Sequence, residues 1–456
     1  MKNFLILIVA LIVAISFAKS SFAGEHDVYG PWPVTVKGYS GDKTDSTSYS
    51  GQIARHALHD SLKSLSSKGD ATEMMSYFGG SDKNKAIISP ASKGDFVFKQ
   101  TLMHDLSKGK NLSGKTYKGI INGWPGGMTG LEVLEFMINK AADAPKGFDS
   151  DTGYNYPQLI SKFAMGAIFY NQAVDNYLDE KLAADVKPNS KPYKDGAYYT
   201  GKEHVWDEAW GYWGAAAHTL RLTAEQSYNV AKKKDMVSAD FNGDGVIDMK
   251  SEYTFAHAYY AASFDKGGKT NYLATITEAF IHGREVIASA NGRNLNFDER
   301  TKLLAHRDTI VENWEKVIAE AVFKYAGSVY KDMGKLDEDP SDKNFSNYTK
   351  HWGELKGFAL ALQSGKNNLG ETAVSLNRMM GYGPVLMNSS QVVGVDSSGN
   401  YVKDQSQEWG DYKLHMLKIQ KLMIDQFGVE AKANDQLADM SDLAAKLGSS
   451  DSAEND

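Results

Sequence analysis

The chain has 456 residues, with 50 lysines and arginines, 57 aspartates and glutamates, and a formal net charge of −7. This acidic balance argues against nucleic acid as a partner, because binding to a phosphate backbone relies on excess basic charge. The sequence contains no cysteine, which excludes disulfides, thiolate metal ligands, a thiol nucleophile and a lipid-modified N-terminal cysteine. Only ten prolines occur, and many Ala-, Leu-, Lys- and Glu-rich segments favour helix.

The N-terminus has the features of a secretion signal. A basic start at Lys2 precedes the apolar run 4–18, and Ser21-Phe22-Ala23 forms a small-x-small cleavage site. A membrane anchor is the alternative, but the apolar run is short for a full span and a cleavage site follows it. No later stretch is long and apolar enough to cross a bilayer. We therefore expect an exported protein, cleaved after Ala23, that is periplasmic or secreted and has no membrane span.

The remaining pattern predicts a mainly α fold. A polar, extended segment at 24–50 precedes one helical domain at 51–448, with halves at about 51–290 and 291–448 and a disordered acidic tail at 449–456. Helices are predicted at 51–65, 156–182, 201–215, 220–234, 251–263, 272–290, 299–331 and 411–427. Loops are predicted at 109–130 and 183–201, and a small hairpin at 391–402.

The composition of the helix at 201–215 predicts that both of its faces pack against other parts of the protein. At about 100° per residue, Trp206, Trp210 and Trp213 share one side, which should face a core. The other side holds His204, Glu208, Gly211 and Ala215, with Asp207 at its border. A simple surface helix would carry Lys and Glu there instead of small residues.

A second copy of this pattern occurs later in the chain. Trp352, Glu354, Gly357 and Phe358 repeat the spacing of Trp206, Glu208, Gly211 and Tyr212. Upstream, Phe163, Gly166 and Tyr170 are spaced like Phe323, Ala326 and Tyr330. Two matches in the same order indicate an internal duplication, with chance similarity between amphipathic helices as the alternative. Duplication predicts that each tryptophan helix packs beside its own Phe163 or Phe323 helix.

Several of these phrases resemble a known family. They are Gly51-Gln52-x-x-Arg55, Met165-Gly166-Ala167, His204-x-Trp206-Asp207-Glu208-Ala209-x-Gly211-Tyr212 and Glu354-x-x-Gly357-Phe358. Together they resemble the bacterial domain-of-unknown-function family 4856, which looks like a relative of the imelysin-type proteins. The resemblance implies a helical, exported protein linked to iron uptake in cell envelopes, with an outer-membrane iron receptor as a possible partner. Family members are commonly lipoproteins, but this chain lacks the required cysteine.

Imelysin-type proteins carry a Gly-x-His-x-x-Glu motif that has been assigned to peptidase activity and also to metal binding. In this sequence His204-x-x-Asp207 is similar, with Asp in place of Glu. The resemblance implies roles for these two residues alone. A zinc peptidase would normally require His-Glu-x-x-His, which does not occur, so catalysis by a metallopeptidase is the weaker reading.

From the residues themselves, one imidazole and two carboxylates within one helical turn suit iron or zinc. We expect His204, Asp207 and Glu208 to be joined by Glu354 from the other half, with Arg55 balancing excess carboxylate charge. Two alternatives remain open. The same side chains can form a hydrogen-bonded seam between helices, and the protein can be a structural or interaction module without a transition metal.

A calcium loop is predicted at 240–252. Its first nine positions match an EF-hand-type loop, and Gly245 permits the sharp turn. The expected ligands are the side chains of Asp240, Asn242, Asp244 and Asp248, the Val246 carbonyl and Glu252. Position twelve is Ser251, so the acidic residue that would close the loop arrives one residue late. An Asp/Asn/Gly turn between helices is the alternative.

Overall fold

The structure is a computed structural model that describes residues 26–80, 83–365 and 369–450. The predicted signal at 1–23 and residues 451–456 of the predicted tail lie outside these residues. The mainly α prediction is confirmed, with 15 α-helices in the described part of the chain. The α-helices are α1 Ser50–Leu65, α2 Ala71–Phe78, α3 Met103–Leu106, α4 Gly130–Asp143, α5 Tyr156–Ala164, α6 Gly201–Trp213, α7 Ala224–Ala231, α8 Met236–Ala239, α9 Ala256–Asp265, α10 Tyr272–Ser289, α11 Phe297–Glu338, α12 Asp342–Leu362, α13 Glu371–Met380, α14 Trp409–Phe427 and α15 Met440–Leu447.

Two small antiparallel sheets complete the fold. Strands β1 (Phe148–Asp149) and β2 (Tyr154–Asn155) precede α5, and β3 (Ser390–Val395) pairs with β4 (Tyr401–Gln405). The second pair is the hairpin predicted at 391–402, and its register shifts between Val392 and Gly394. Among the described residues, no helix combines the length and apolarity needed to span a bilayer.

Most predicted helices form, but several boundaries differ. The helix predicted at 299–331 extends over Phe297–Glu338, because Asn296 and Glu299 form a capping box at its start. The one predicted at 251–263 begins only at Ala256. The preceding backbone leaves helical geometry where the Phe255 N–H donates to the Gly214 carbonyl at 2.7 Å. Residues 71–78, 130–143 and 371–380 are helical although the sequence analysis assigned no helix there.

The helix predicted at 156–182 changes character along its length. It is α-helical as α5 and continues through two π-helical stretches, Met165–Tyr170 and Gln172–Tyr177. Gly166 lies where this segment meets α12, and a Cβ there would come within 2.3 Å of the Ala361 Cβ. The two helices approach this closely only because residue 166 has no side chain.

The long helix α11 is the centre of the core. It packs against α9, α10, α12 and α14, while α12 also packs against α5. The helix α6 lies between α1, α10 and the π-helical segment after α5. Gly211 of α6 faces α1, and a Cβ there would lie 2.7 Å from the Gln52 Cβ and 2.8 Å from the Tyr49 Cβ. This close contact brings the side chains of α1 and α6 together.

Candidate functional site

The helix α6 is fixed at both ends and on its apolar side. Thr200 and Glu203 form a capping box at its start, and Gly214 ends it in the left-handed conformation. The three tryptophans are fully buried, which confirms the predicted apolar stripe. The Trp206 Nε1–H donates to the Phe280 carbonyl at 2.8 Å, which ties α6 to α10. The polar side chains on the other side of α6 are therefore held in fixed positions.

Asp207 belongs to a fully buried ionic network. Its Oδ1 accepts from the Tyr29 hydroxyl at 2.7 Å and from the Arg284 Nε at 2.9 Å. Its Oδ2 accepts from the Ser48 N–H at 2.9 Å. Arg284 also contacts Glu203 at 3.3 Å, and all three charged side chains are 0 % exposed. Because both Asp207 oxygens are occupied, this carboxylate joins α6, α10 and the N-terminal segment.

The pKa of Asp207 depends both on burial and on its hydrogen-bond partners. Burial raises this pKa, and the Arg284 charge and the Tyr29 hydroxyl lower it, with a net value of about 6. At neutral pH the carboxylate is thus charged mainly because Arg284 compensates it. The network matches the hydrogen-bonded seam that the sequence analysis kept as an alternative.

His204 and Glu208 form a separate, partly open pair. The His204 Nε2 lies 3.7 Å from the Glu208 Oε2, and the side chains are 14 % and 13 % exposed. The rings of Tyr193 and Tyr199 flank the imidazole, with centroids at 4.2 and 4.5 Å. Burial lowers the pKa of His204, and lysines nearby lower it further, whereas Glu208 raises it. The imidazole is therefore neutral at pH 7.

Within the described residues, only one carboxylate oxygen of Glu208 accepts hydrogen bonds. Its Oε1 accepts from the Gln52 Nε2 at 2.9 Å and from the Tyr177 hydroxyl at 3.2 Å. Its Oε2 and the His204 Nδ1 are buried and have no hydrogen-bond partner among the described residues. Buried polar atoms in proteins are normally paired. These two atoms are therefore placed to meet a ligand.

Cationic side chains gather around this pair. The Lys115 Nζ donates to the Tyr177 hydroxyl at 3.3 Å, and the Lys181 Nζ lies 4.3 Å from the centre of that ring. Burial lowers the pKa of Lys115, the Arg55 charge lowers it further, and Glu208 opposes both. The same three influences act on Lys110. We call this set the Glu208 cluster; it comprises Arg55, Lys110, Lys115, Lys181, His204 and Glu208.

Arg55 is positioned by the backbone. Its Nε donates to the Asn111 carbonyl at 2.9 Å, and its Nη1 donates to the Gly51 carbonyl at 3.3 Å. The side chain is buried, as expected for a clamp, and its charge lowers the pKa of Lys110 and of Lys115. The Glu208 cluster thus contains four cationic side chains and one carboxylate, which gives it excess positive charge.

Glu354 lies in a different network. Its Oε1 accepts from the Tyr325 hydroxyl at 3.2 Å, and that hydroxyl is 3.5 Å from the hydroxyl of Tyr260. Of the four expected metal ligands, the structure brings together His204 and Glu208, while Asp207 and Glu354 have other partners. Within residues 26–80, 83–365 and 369–450, no three His, Asp or Glu side chains are arranged to hold a metal ion.

The two tryptophan helices nevertheless make contacts of a similar type, each with its own partners. Trp206 donates to a residue of α10, and the Trp352 Nε1 donates to the Tyr412 hydroxyl on α14 at 2.6 Å. Glu208 and Glu354 each accept from a tyrosine at 3.2 Å. The helix α12 packs beside α11, which carries Phe323, and also beside α5, which carries Phe163, whereas α6 packs beside the π-helical continuation of α5. The internal duplication stays a prediction.

The segment 240–252 folds as a compact acidic loop. The Asp240 carboxylate accepts from the N–H groups of Gly243, Asp244 and Gly245 at 2.9 to 3.1 Å. Glu252 folds back over the loop, where its Oε1 accepts from Asn242 at 3.2 Å and from the adjacent N–H. Burial raises the pKa of Glu252, and the carboxylates of Asp240 and Asp248 raise it further. Acidic side chains from both ends of the loop therefore lie close to each other.

One region of the chain is similar to a known family. Residues 137–319 match the family model described as Domain of unknown function (DUF4856). The match runs from the middle of α4 to the middle of α11 and includes α6, so the resemblance to this family is confirmed over that region. No curated protein and no solved structure matches the chain. The imelysin likeness and the link to iron stay predictions.

Proposed function

We propose that the chain is a non-catalytic binding protein whose Glu208 cluster holds a small anion that also carries hydroxyl groups. The observation that carries this proposal is the position of Lys115 and Lys181 against Tyr177, whose hydroxyl donates to Glu208, a carboxylate with one unpaired oxygen. The ligand's negative groups would contact Lys110, Lys115 and Lys181. Its hydroxyl would donate to the Glu208 Oε2. The neutral imidazole of His204 would supply a further hydrogen bond.

An anion fits this cluster better than a bare metal ion. A divalent cation needs several anionic or neutral donors, and only His204 and Glu208 are close to each other. The four cationic groups of the cluster would also disfavour a metal ion, because like charges repel each other. The same groups attract an anion.

Iron uptake remains compatible with this proposal. Hydroxycarboxylates chelate ferric iron, and their complexes retain negative charge and free hydroxyl or carboxylate groups. We propose that iron, if it is the cargo, reaches the protein as such an anionic complex in the cell envelope. The exported location rests on the predicted signal before Gly24, and an outer-membrane receptor is the partner that this role implies.

A calorimetric titration with citrate tests the proposal. We expect one site in the Glu208 cluster, a loss of affinity of at least tenfold in Lys115→Gln and Glu208→Gln, and no change in the exposed control Lys68→Gln. Affinity should fall with ionic strength, because charged groups make the contacts. Equal affinity in Lys115→Gln and the native protein would refute the location.

We also propose that the 240–252 loop binds calcium in a structural role, through ligands that include the Asn242 side chain and the Val246 carbonyl and not through carboxylates alone. The oxygens of Asp240, Asn242 and Asp244 alternate as in EF-hand-type loops, and Glu252 turns into the loop instead of towards solvent. A backbone bridge between Ile247 and Phe98 anchors the loop to the preceding segment. Calcium would relieve the repulsion among the carboxylates and fix the connection between α8 and α9.

Thermal unfolding with and without calcium tests this second site. Calcium should raise the melting temperature, because an ion that binds only the folded state stabilises it. Asp244→Ala should abolish the rise, Glu252→Gln should reduce it, and the exposed control Asp42→Ala should preserve it. An equal response to calcium in Asp244→Ala would show that the ion binds elsewhere.

A further inference from the structure

A cavity of about 310 Å³ lies beside α1, α5 and α9, and its walls contain none of the residues of the Glu208 cluster. Four lysines line it against one aspartate, Asp60. Two of the lysines, Lys63 of α1 and Lys162 of α5, are on its inner wall, while aromatic rings of the α9 region form another wall. This volume is in the range of small-molecule sites in proteins.

The inner wall contains buried polar groups. Lys162 is 3 % exposed, and its Nζ lies 5.5 Å from the centre of the Tyr260 ring, whereas lysines are seldom buried this fully. Thr254, also on the wall, is 1 % exposed, and its hydroxyl has no hydrogen-bond partner among the described residues. The Asp60 carboxylate already pairs with the His59 Nδ1, which lies 2.9 Å from its Oδ1.

The two amines also act on each other. The charge of Lys162 and burial together lower the pKa of Lys63 to about 7, while Glu354 opposes both effects. Burial likewise lowers the pKa of Lys162, while Glu354 opposes this effect. Two adjacent amines in a poorly solvated place destabilise the folded protein unless a negative group joins them.

We propose that this cavity is a second ligand site, which binds a small molecule through a carboxylate or phosphate group held between Lys63 and Lys162. The hydroxyl of Thr254 would donate to the same oxyanion. The rings of Tyr259 and Tyr260 would cover the body of the ligand, and Lys232 lies over the Tyr259 ring at 4.8 Å near the same wall. Tightly held oxyanions in proteins are typically met by several such charge-assisted hydrogen bonds.

A purely structural role is the competing explanation. Glu354 is connected to the cavity through Tyr325 and Tyr260, and its charge acts on both Lys63 and Lys162, so the lysines can serve as counter-charges for its carboxylate. In that case, replacing Lys162 would leave a buried carboxylate less compensated and would destabilise the fold. A ligand site predicts the reverse, because a functional buried charge is retained at the expense of stability.

Titration of the full chain with inorganic phosphate, and separately with succinate, tests the proposal. We expect at least one of the two anions to bind, with at least tenfold weaker binding in Lys63→Met and Lys162→Met. The exposed control Lys68→Met and the Glu208-cluster variant Lys115→Gln should retain native affinity. Lys162→Met should also melt at a higher temperature than the native protein.

Three results would overturn this site. They are no binding of either anion, native affinity in both lysine variants, or a lower melting temperature of Lys162→Met with native affinity in Lys63→Met. Binding that is lost in Lys115→Gln but retained in Lys162→Met would remove the second site and leave the proposed function intact. Loss of citrate binding in Lys115→Gln alone concerns only the first site, so the two proposals fail independently.

Discussion

In the described part of the chain, Arg284 is the only cation that pairs with the carboxylates of Glu203 and Asp207, and Arg284→Met removes it. The guanidinium contacts Asp207 at 2.9 Å and Glu203 at 3.3 Å, and its Nη2 donates to the Ser46 hydroxyl at 2.8 Å. Methionine keeps a similar apolar length beside Trp32 but supplies no charge and no donor. Two fully buried carboxylates would then lack compensation.

The expected loss of unfolding free energy is about 3–5 kcal/mol, the range for breaking a buried ion pair by removal of one partner. The contacts support the upper part of this range, because Arg284 serves two carboxylates and a hydroxyl. Part of the loss should be recovered by protonation. Without the Arg284 charge, the pKa of Asp207 rises above its native value of about 6.

The sign of the pH dependence follows from this shift. A carboxyl whose pKa is higher in the folded than in the unfolded protein takes up a proton on folding, so its contribution to stability falls as pH rises through that window. For native Asp207 the window runs from 3.8 to about 6. For Arg284→Met the window extends to higher pH, so the substitution should lower the free energy of unfolding more at pH 7 than at pH 5.

Urea unfolding monitored by tryptophan fluorescence at pH 5 and pH 7 measures both effects. Arg221→Met is the matched control, because Arg221 pairs with Asp27 where both side chains are about half exposed, at 50 % and 54 %. The control should unfold at nearly the native midpoint. If Arg284→Met lowers the free energy of unfolding by less than about 1 kcal/mol at pH 7, or by more at pH 5 than at pH 7, then Arg284 does not stabilise the buried carboxylates as proposed.

Two further predictions concern α6 and its contacts. Gly211→Ala should lower the melting temperature, because its Cβ would lie 2.7 Å from the Gln52 Cβ; Gly334→Ala, with no atom within 4 Å, should instead stabilise α11 by about 0.5–1 kcal/mol. Equal shifts in the two alanine variants would contradict the close α1–α6 contact. Thr200→Ala should cost about 1 kcal/mol through loss of the helix cap, and unchanged urea unfolding would show that the cap is dispensable.

Local patterns in the sequence predicted the parts of the fold that depend on neighbouring residues. The tryptophan stripe follows from helical periodicity, and the hairpin from its turn around Ser398-Gly399. The π-helical turns after Ala164 were missed, because they differ from an α-helix in hydrogen-bond spacing and not in apolar period. The close contact between Gly166 and Ala361 could not be predicted either, because the two residues are far apart in the sequence.

The candidate site shows the same division. His204 and Glu208 are neighbours on one helix, so their pairing could be predicted. The partner of Asp207 could not, since Arg284 lies 77 residues away on α10. Lys110 and Lys115 come from the region before α4 and carry no periodic signal. Without them the cluster looked like a set of metal ligands, whereas with them its charge favours an anion.

Equilibrium dialysis followed by elemental analysis distinguishes an anion site from a site for a bare metal ion. The purified protein is dialysed against ferric citrate, citrate alone, or zinc and ferrous salts without chelator, and bound metal and citrate are both quantified. The expected result is that citrate is retained with or without iron, and that iron is retained only together with citrate. Zinc or iron bound without citrate, and lost in His204→Ala, would contradict it and would favour a site for the bare metal ion.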